Sequence, residues 1–388
     1  MVESTCIVAG GGIGGLTAAL ALLRAGGDTR VYEQAPVLGE VGAGLTLSRG
    51  AIKCCISLGL EAKLRENMAP AGDFAYVHFS TGARLPAPPP APAKPGEEPD
   101  DAHIYRPDLH AILVDAVRAF GNDRIVLGAA LTGIETSPGS VGAQFADGSS
   151  AKASLLIGAD GARSAVRRIV FGEGPPVFTG KIAYRFMLPA EAAGDFAAVG
   201  GPACLFVGHG RVFNRYLVSR GRLLNCVALM RSEVWAQDSW NCPAAAEELL
   251  AALPGWHPSV LSLVRRAPPG KLIKWGIFAR EPRQTWVAGR VALLGDAAHP
   301  MQPFLGLGAA MAIEDGTVLG RACAQLADLD AALAAYVRLR VPRANAVMRL
   351  SRTQGELFDT TDPADFPPKG APSHDRAVGG FEEEGLLF

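Results

Sequence analysis

The sequence predicts an α/β fold: a doubly wound, Rossmann-like parallel sheet with an inserted antiparallel β-sheet and C-terminal helices. Three observations indicate this fold. A glycine-rich turn that starts at Gly10 lies between an apolar strand pattern and an apolar helix pattern. After Gly180, the alternation of strand and helix patterns gives way to short strand patterns separated by turn residues. The alternation resumes with an apolar strand at residues 291–294 and a long helix pattern from Ala309.

The first strand, turn and helix are typical of a site that binds the diphosphate of a dinucleotide. Residues 6–9 form the strand pattern, and apolar residues recur at helical spacing from 16 to 23. Gly10 permits the tight turn, Gly12 lets backbone N–H groups approach the diphosphate, and Gly15 lets the helix pack close to the sheet. The predicted cofactor contacts of the turn are Gly10, Gly12, Ile13, Gly14 and Gly15.

A carboxylate follows each of three buried strand patterns. Glu33 ends a strand about 20 positions after the turn, where it can accept hydrogen bonds from a ribose. The next residue, Gln34, is also a predicted cofactor contact. Asp160 and Asp296 each follow a further strand beside a glycine. Because the carboxyl ends of parallel strands meet at one edge of a sheet, we expect the three carboxylates to converge on one crevice. The alternative is that each aspartate only caps its own turn.

The pattern divides the chain into segments of different composition. The parallel-sheet domain, with the C-terminal helices, comprises residues 1–72, 104–180 and 276–350. Residues 73–103 contribute a strand and an exposed proline-rich loop, residues 181–275 form the antiparallel sheet, and residues 351–388 form a C-terminal tail. An arginine series near the end is typical of a solvated helix face: Arg338, Arg340, Arg343, Arg349 and Arg352.

Composition excludes several classes of partner. With 37 Lys and Arg against 38 Asp and Glu, the chain shows no electrostatic footprint for nucleic acid or an anionic membrane. Its seven cysteines are scattered, without a C-x-x-C pair or a His cluster, so we expect reduced thiols and no metal site. The N-terminus enters a strand pattern without a basic region or a cleavage-like site, so we do not expect secretion. The longest apolar run, residues 13–25, is too short to span a bilayer. We therefore expect a cytoplasmic protein.

The ordered motifs resemble those of the single-component FAD-dependent aromatic hydroxylases. This is the group A flavoprotein monooxygenase family, which includes para-hydroxybenzoate, salicylate and 6-hydroxynicotinate hydroxylases. The resemblance spans residues 7–346. It depends on the glycine turn, Glu33, the Asp-Gly motif at residues 158–164 and the Gly-Asp motif at residues 295–300.

The resemblance implies a GR2-type FAD-binding domain with FAD as the cofactor. It implies that Arg106 contacts FAD, that Asp160 belongs to a motif associated with both FAD and the nicotinamide cofactor, and that Asp296 contacts the ribityl chain. Further contacts implied near the last long helix are Gly306, Leu307, Gly308 and Ala309. Two segments depart from the family pattern. Leu307-Gly308 stands where Gln-Gly is common, and Arg49-Gly50-Ala51 stands where Pro-Asn-Ala is common.

The resemblance also implies the reaction. NADH or NADPH transfers a hydride to FAD, and reduced flavin with O₂ forms a C4a-hydroperoxide that hydroxylates a small aromatic or heteroaromatic substrate. No second glycine-turn unit is present, so we expect the nicotinamide cofactor to dock transiently. Arg163 and Arg167 are candidates for its phosphates, and exposed helix arginines are the alternative.

Three residues are candidates for catalysis. Tyr216 resembles a pocket tyrosine of the family's central sheet, with simple strand packing as the alternative. His299 is either an acid-base catalyst or a turn-stabilising residue. The Pro303 carbonyl either accepts a hydrogen bond from a substrate hydroxyl, or Pro303 only stiffens the turn. Arg185 and Arg215 either pair with a substrate carboxylate or face water.

Two other functions fit the same fold. One is a flavin oxidoreductase that does not insert oxygen, and the other is a non-catalytic binding protein resembling the Rab GDP-dissociation inhibitors. The intact glycine turn, Glu33 and Asp296 argue against the second. We expect a monomer or a homodimer.

Overall fold

The computed structural model describes residues 5–39, 42–86, 101–233, 235, 242–326 and 328–368. The strands in this part of the chain are β1 (Thr5–Ala9), β2 (Asp28–Glu33), β3 (Gly44–Ser48), β4 (Ala69–Pro70), β5 (Phe74–His78), β6 (Asp101–Tyr105), β7 (Ile125–Leu127), β8 (Leu131–Ser137), β9 (Ser140–Phe145), β10 (Ser150–Ala153), β11 (Leu155–Gly158), β12 (Val177–Pro189), β13 (Ala203–Gly208), β14 (Arg211–Val218), β15 (Leu223–Arg231), β16 (Cys242–Pro243), β17 (Ile273–Ala279), β18 (Val287–Ala288) and β19 (Val291–Leu293). The α-helices are α1 (Ile13–Arg24), α2 (Arg49–Ser57), α3 (Glu61–Asn67), α4 (Arg106–Arg118), α5 (Ala165–Phe171), α6 (Ala246–Ala251), α7 (Pro258–Arg265), α8 (Gly308–Gln325) and α9 (Leu329–Thr360). Residues 87–100, which are most of the predicted proline-rich loop, lie outside the described residues.

A six-stranded sheet in the order β18-β19-β11-β1-β2-β7 forms the centre of the first domain. The five strands from β19 to β7 are parallel, and β18 pairs antiparallel with β19 at the edge. Strands β11 and β19 are buried along their whole length. Helix α1 packs on the sheet, and strands β9 and β10 of a separate three-stranded sheet also pack on it, as the stacking of Tyr32 on Phe145 shows. The predicted Rossmann-like fold class is confirmed.

Helices α1 and α8 pack against each other through small residues. A Cβ at Gly320 would lie 2.3 Å from Ala21 Cβ, and a Cβ at Gly316 would lie 2.7 Å from Ala18 N. Larger side chains would therefore force the two helices apart. Because residues later in α1 meet residues later in α8, the helices run in the same direction. Their N-terminal ends consequently face the same side of the sheet.

A seven-stranded sheet in the order β16-β17-β12-β15-β14-β13-β5 forms the second domain. Its pairs are antiparallel except β13 with β5, which is parallel. One face packs on α6 and α7 through large apolar side chains such as Phe186, Phe213 and Trp256. Helix α6 precedes α7 along the chain, and both follow the short edge strand β16.

Two three-stranded sheets are also present among the described residues, in the orders β10-β9-β8 and β3-β6-β4. The second joins the two domains, because Asn225 Oδ1 on β15 accepts the N–H of Gly44 on β3 at 3.0 Å. This contact brings the seven-stranded sheet close to the cofactor domain.

The C-terminal part of the chain differs from the predicted tail. Helix α9 continues to Thr360, ten residues beyond the predicted boundary at residue 350. Phe366 is buried and stacks on Phe358, with ring centroids 4.9 Å apart. Residues 351–368 therefore pack on the protein, and the rest of the predicted tail lies outside the described residues.

Candidate active site

The glycine turn has free space at one glycine and none at two others. A Cβ at Gly10, whose φ is +110°, would lie 2.4 Å from Ala159 O, and a Cβ at Gly15 would lie 2.0 Å from Gly10 O. A Cβ at Gly12 would meet nothing within 4 Å. The fold therefore requires Gly10 and Gly15, whereas Gly12 borders open space at the start of α1. Within the described residues no side chain caps this helix, so its first N–H groups are available to an anion.

Glu33 lies beside the turn at the end of β2. Its Oε2 accepts the N–H of Gly11 at 2.7 Å, and its Oε1 accepts the N–H of Ala35 at 2.9 Å. His110 Nε2 donates to the Gly11 carbonyl at 2.8 Å, and burial lowers the pKa of His110, which favours the neutral ring. The carboxylate is thus held in place with lone pairs left for a ribose hydroxyl. The Gln34 side chain is exposed just beyond it.

The Asp160 carboxylate lies at the N-terminus of helix α5, whose N-cap residue is Ser164. Its carboxylate accepts the Ser164 hydroxyl at 2.5 Å and the N–H groups of Ala165 and Val166 at 2.6 and 3.1 Å. Burial raises the pKa of Asp160, and these hydrogen bonds oppose the rise. A Cβ at Gly10 would lie 2.9 Å from the Asp160 nitrogen. The Asp-Gly motif therefore supports the glycine turn from behind.

Asp296 faces a cleft inside the molecule. Its side chain is exposed, yet the surrounding protein raises the pKa of its carboxyl by desolvation. Both observations hold for a group at the floor of a concave surface. The charges of His299 and Arg106 oppose the rise in pKa, which places both residues near Asp296. A Cβ at Gly308 would lie 4.0 Å from Asp296 Oδ1, so the start of α8 borders the same cleft.

The loop before α8 contributes backbone to this cleft. Leu307 is buried with a 1% exposed side chain, so the residue that replaces the family's glutamine packs into the core. Gly306 has a φ of +69° and is exposed. No described side chain caps α8, and the N–H groups of Gly308, Ala309 and Ala310 are at its free N-terminus.

A buried hydrogen-bond network supports the Asp296 turn. Asp315 Oδ2 accepts the N–H of Gly295 at 3.0 Å and contacts His299 Nε2 at 2.5 Å. Arg340 Nε donates to Asp315 Oδ1 at 2.8 Å. Burial alone would raise the pKa of Asp315, but the charges of His299 and Arg340 and these hydrogen bonds lower it to about 2. Asp315 is therefore a buried anion that holds both ends of the turn.

A second buried anion extends the network. Glu314 accepts Arg340 Nη1 at 2.8 Å and Arg343 Nε at 2.7 Å, and the Arg340 side chain is only 1% exposed. The prediction that this arginine series decorates a solvated face is therefore wrong for Arg340 and Arg343. Helical periodicity in α9 did not reveal them, because their partners lie on another helix, α8.

The structure places His299 and Pro303 in structural contacts. The His299 side chain is completely buried, and its partner is Asp315, so its geometry is that of a turn-stabilising residue. The Pro303 carbonyl accepts the N–H of Gly306 at 3.1 Å, which closes the turn before α8, while the proline itself is exposed. A hydrogen bond from a substrate to this carbonyl would use its second lone pair.

Tyr216 lies where the seven-stranded sheet meets the cofactor domain. Its ring packs on His103 of β6, with centroids 4.1 Å apart. A Cβ at Gly44 would lie 2.6 Å from Tyr216 Cε2 and 2.8 Å from Asn225 Cγ. Burial raises the pKa of Tyr216, and the positive charge of Arg185 only partly opposes this.

Strand register shows which side chains share the face of Tyr216. Tyr216 pairs with Asn225, and Asn214 pairs with Val227, which in turn pairs with Arg185. Alternation along strands therefore places Arg185, Asn214, Tyr216 and Asn225 on one face, called here the polar sheet face. The Arg185 guanidinium also lies 5.0 Å from the Trp275 ring centroid. Sequence patterns could not find Asn214 and Asn225, because both depend on pairing between distant strands.

Arg215 lies on the opposite face of the sheet. Its Nη1 donates to the Gly201 carbonyl at 2.9 Å, its Nη2 donates to Val199, and its guanidinium lies 5.2 Å from the Phe196 ring centroid. The side chain is completely buried in these contacts. The expectation that Arg215 pairs with a substrate or faces water is therefore wrong.

The arrangement fits a flavin dinucleotide. The open space at Gly12 and the free N-terminus of α1 suit a diphosphate. Glu33 lies beside the same turn at the end of β2, where its carboxylate suits a ribose. Because α1 and α8 run in the same direction, the positive ends of both helix dipoles border the same cleft. These residues, with Arg106, Asp296 and Gly308, are called the cofactor cleft. The geometry defines a dinucleotide-binding flavoprotein.

Comparison with known proteins identifies the family. The chain matches the model described as "FAD binding domain" over residues 3–184 and 246–351, which together exceed half of its length. It belongs to this family and, more closely, to the FAD-dependent aromatic hydroxylases. FAD is its cofactor, and the chain is an FAD-dependent enzyme, so the non-catalytic alternative is excluded.

Similar proteins share most of the chain. A 3-amino-4-hydroxybenzoate 2-monooxygenase of Streptomyces platensis is 35% identical over 92% of this chain and 88% of its own. A 6-hydroxynicotinate 3-monooxygenase of Pseudomonas fluorescens is 33% identical over 92% of both chains. The structure of Klebsiella pneumoniae HpxO with FAD and uric acid is similar with a TM-score of 0.83 and 28% identity, covering 98% of this chain and 94% of that one.

The described residues contain neither a membrane-spanning helix nor a cluster of metal ligands. None of the described helices is long and apolar enough to cross a membrane. No group of three or more His, Cys, Asp or Glu in this part of the chain could hold a metal ion.

Proposed function

We propose that the enzyme is a monooxygenase that uses NADH or NADPH and O₂ to hydroxylate a small aromatic or heteroaromatic ring carrying an acidic group. The observation that carries this proposal is the polar sheet face. There, Arg185 Nε, Asn214 Oδ1 and Asn225 Nδ2 are buried without a hydrogen-bond partner among the described residues. Buried polar groups are normally paired, so three such atoms on one face indicate a place for a polar ligand.

Arg185 supplies the positive charge of this face. Burial lowers the pKa of Arg185 to about 10, and the nearby charge of Arg106 adds to the decrease, while Tyr216 and Tyr105 oppose it. The guanidinium therefore remains charged at neutral pH but is poorly solvated. A carboxylate on the ring would restore the lost solvation and accept two parallel hydrogen bonds, whereas a phenolate would accept hydrogen bonds at its single oxygen.

Tyr216 supplies a hydrogen bond rather than a base. Because burial raises its pKa, the hydroxyl keeps its proton at neutral pH. It can then donate to an oxygen substituent of the ring and orient that ring towards the cofactor cleft. Tyr216 is thus proposed as a catalytic residue, with Arg185 fixing the other end of the substrate.

The remaining residues hold the cofactor and exclude water. When bound, FAD supplies hydride acceptance and oxygen activation. The glycine turn would hold its diphosphate, Glu33 its ribose, and Asp296 with the N-terminus of α8 the part nearer the flavin. Around Tyr216 the neighbours are mostly apolar and exclude water from the ring: Ala203, Val218, Met187 and Leu223.

The names of the relatives support a substrate whose ring carries an acidic group. Benzoates and nicotinates are both ring carboxylic acids, and proteins named for them match more than nine-tenths of this chain.

The proposal is tested by following NADH and NADPH oxidation by the holoenzyme with hydroxybenzoates and hydroxypyridine carboxylates. Each acid is paired with its neutral amide, and the product mass is measured. We expect oxidation coupled to a product heavier by one oxygen atom, with a strong preference for the acid. Arg185→Met should raise KM for the acid by roughly 10- to 100-fold and change KM for the amide little. Oxidation without oxygen insertion would instead support the flavin oxidoreductase.

A further inference from the structure

The polar sheet face continues into an apolar patch along the same strands. Ala183 lies two residues before Arg185 on β12, and Val212 lies two residues before Asn214 on β14. Alternation along strands therefore places both apolar side chains on the face of the polar groups. Leu229 pairs with Ala183 and belongs to the same patch, and all three apolar side chains are buried. The patch is therefore covered by other parts of the chain.

Three phenylalanines from the C-terminal half of the chain cover this patch. Phe358 belongs to the last turn of α9, Phe366 to the segment after it, and Phe304 to the turn before α8. Phe358 stacks on Phe366 with ring centroids 4.9 Å apart, and Phe304 packs on Phe358 at 5.8 Å. All three rings belong to one apolar cluster with Ala183 and Val212. We call these three phenylalanines the aromatic row.

The aromatic row borders the polar sheet face. Phe366 packs on Tyr76 of β5, with ring centroids 5.3 Å apart. Tyr76 pairs with Leu205, and Leu205 pairs with Asn214. On the other side of Asn214, its partner Val227 packs against the same apolar cluster as the aromatic row. The row therefore stands beside the buried Asn214 Oδ1, which has no hydrogen-bond partner among the described residues.

A buried lysine fixes the end of α9 to the sheet. Lys181 lies on the same face of β12, and its Nζ donates to the Gly355 carbonyl at 3.1 Å and to the Asp359 carboxylate at 2.5 Å. This ammonium group also lies 5.1 Å from the centroid of the Phe304 ring. Gly355 leaves space for that ring, because a Cβ there would lie 2.6 Å from Phe304 Cε2. Charge and shape therefore hold the aromatic row in place, in addition to apolar packing.

Most of the aromatic row lies outside the domain that defines the family. The match to the FAD-binding model ends at residue 351, before Phe358 and Phe366. The contacts expected for FAD come from residues within that match. A change at the end of α9 can therefore alter the neighbourhood of the polar sheet face without altering the cofactor cleft.

We propose that the aromatic row is a wall of the substrate site that limits the substrate to a single ring, an inference that depends on the proposed function. Neighbouring side chains on one face of a strand are about 6.6 Å apart, so Asn214 and Tyr216 span about the width of one ring. The next position along β14 is Val212, which the aromatic row covers. A second fused ring in this direction would meet Phe358 and Phe366.

The test compares kcat/KM of the holoenzyme for hydroxybenzoates and for hydroxynaphthoates that carry the same groups on one ring. Hydroxylated product is quantified in each case. The wild type should prefer the single ring by about 100-fold or more. Phe366→Ala opens the wall and should reduce this preference about 10-fold or more, through a lower KM for the hydroxynaphthoate. Phe366→Leu keeps most of the buried volume and therefore the fold, and should reduce the preference about threefold.

Phe213→Leu is the matched control, because Phe213 is a fully buried phenylalanine on the helix-covered face of the same sheet. It should leave the preference unchanged. A preference that stays at the wild-type value in both Phe366 variants, with FAD bound normally, would overturn the proposal. An equal shift in Phe213→Leu, or a wild type that accepts both acids equally, would also overturn it. A wild type that hydroxylates neither acid would instead refute the substrate class of the proposed function.

Discussion

The cofactor cleft and the polar sheet face differ in whether the protein itself supplies hydrogen-bond partners for their buried polar groups. In and behind the cofactor cleft, carboxylates are satisfied by the protein: Glu33 accepts two N–H groups, Asp160 accepts three donors, and Asp315 binds the Asp296 turn and Arg340. On the polar sheet face, Arg185, Asn214 and Asn225 each retain a buried atom without a partner among the described residues. The first region is held rigid without a ligand, and the second requires one for its hydrogen bonds to be complete.

The largest expected effect tests whether the support behind the cofactor cleft is structural. Asp315→Asn should lower the free energy of unfolding by about 3–5 kcal/mol, because it leaves Arg340 and His299 without their shared anion. Urea unfolding of the apoprotein measures this. Asp123→Asn, which removes an exposed partner of Arg30, should change stability by less than about 1 kcal/mol. Equal effects of the two substitutions would contradict the conclusion that buried Asp315 stabilises the fold more than the exposed Asp123 does.

The stability difference between the wild type and Asp315→Asn should depend on pH. In the folded protein the pKa of Asp315 is about 2, below its ordinary value of 3.8. Its anion therefore stabilises the fold fully above the ordinary value, and this contribution is lost as the pH falls from about 4 towards 2. The stability difference between wild type and Asp315→Asn should be largest at neutral pH and should shrink through this window. A difference that stays constant down to pH 3 would show that the carboxylate charge is not responsible.

The next effect separates two glycines of one turn. Gly15→Ala should lower apoprotein stability by about 1–3 kcal/mol or more, because the new methyl group would meet the Gly10 carbonyl. Gly12→Ala adds a methyl group to open space, so stability should change by less than about 0.5 kcal/mol. FAD affinity should nevertheless fall about 10-fold or more in Gly12→Ala, because the methyl group occupies space that the diphosphate needs. Thermal unfolding and FAD titration would show whether the two glycines differ in this way.

The contrast between these glycines explains how much the sequence could predict. Gly10, Gly12 and Glu33 act within one strand-turn-helix unit and the next strand, so their spacing along the chain is their signal. Asn225 reaches Gly44 across 181 positions, and Arg340 reaches Asp315 between helices. No local pattern records such pairings. For the same reason the sequence predicted the residues of the cofactor cleft but left the positions of Arg185 and Arg215 open until strand register assigned them to opposite faces.

A smaller effect compares the two aspartates that sequence patterns treated alike. Asp296→Ala should weaken FAD binding by about 5- to 10-fold with little loss of apoprotein stability, because its carboxyl faces the cleft and is destabilised by burial. Asp160→Ala should instead cost about 1 kcal/mol of stability, because it removes the carboxylate that accepts the N–H groups of Ala165 and Val166 at the start of α5. FAD titration and urea unfolding of both variants give the comparison. Normal FAD affinity in Asp296→Ala would remove it from the cofactor cleft.

The smallest effect compares the two faces of the seven-stranded sheet. Tyr216→Phe should reduce kcat for hydroxylation about fivefold, because one hydrogen bond to the ring is lost, while FAD affinity is unchanged. Tyr184 is the matched control. It is a buried tyrosine on the helix-covered face, where its hydroxyl donates to Glu248 at 2.6 Å.

Tyr184→Phe should lower stability slightly and leave kcat unchanged, since this face does not meet the cofactor cleft. Steady-state kinetics with product quantification distinguishes slower hydroxylation from nucleotide oxidation that is not coupled to product. If both phenylalanine variants reduced kcat equally, the effect would reflect loosening of the sheet as a whole. If Tyr216→Phe retained full coupled turnover, the hydroxyl would have no function in orienting the ring, and the specificity of the polar sheet face would depend on Arg185 and the two asparagines.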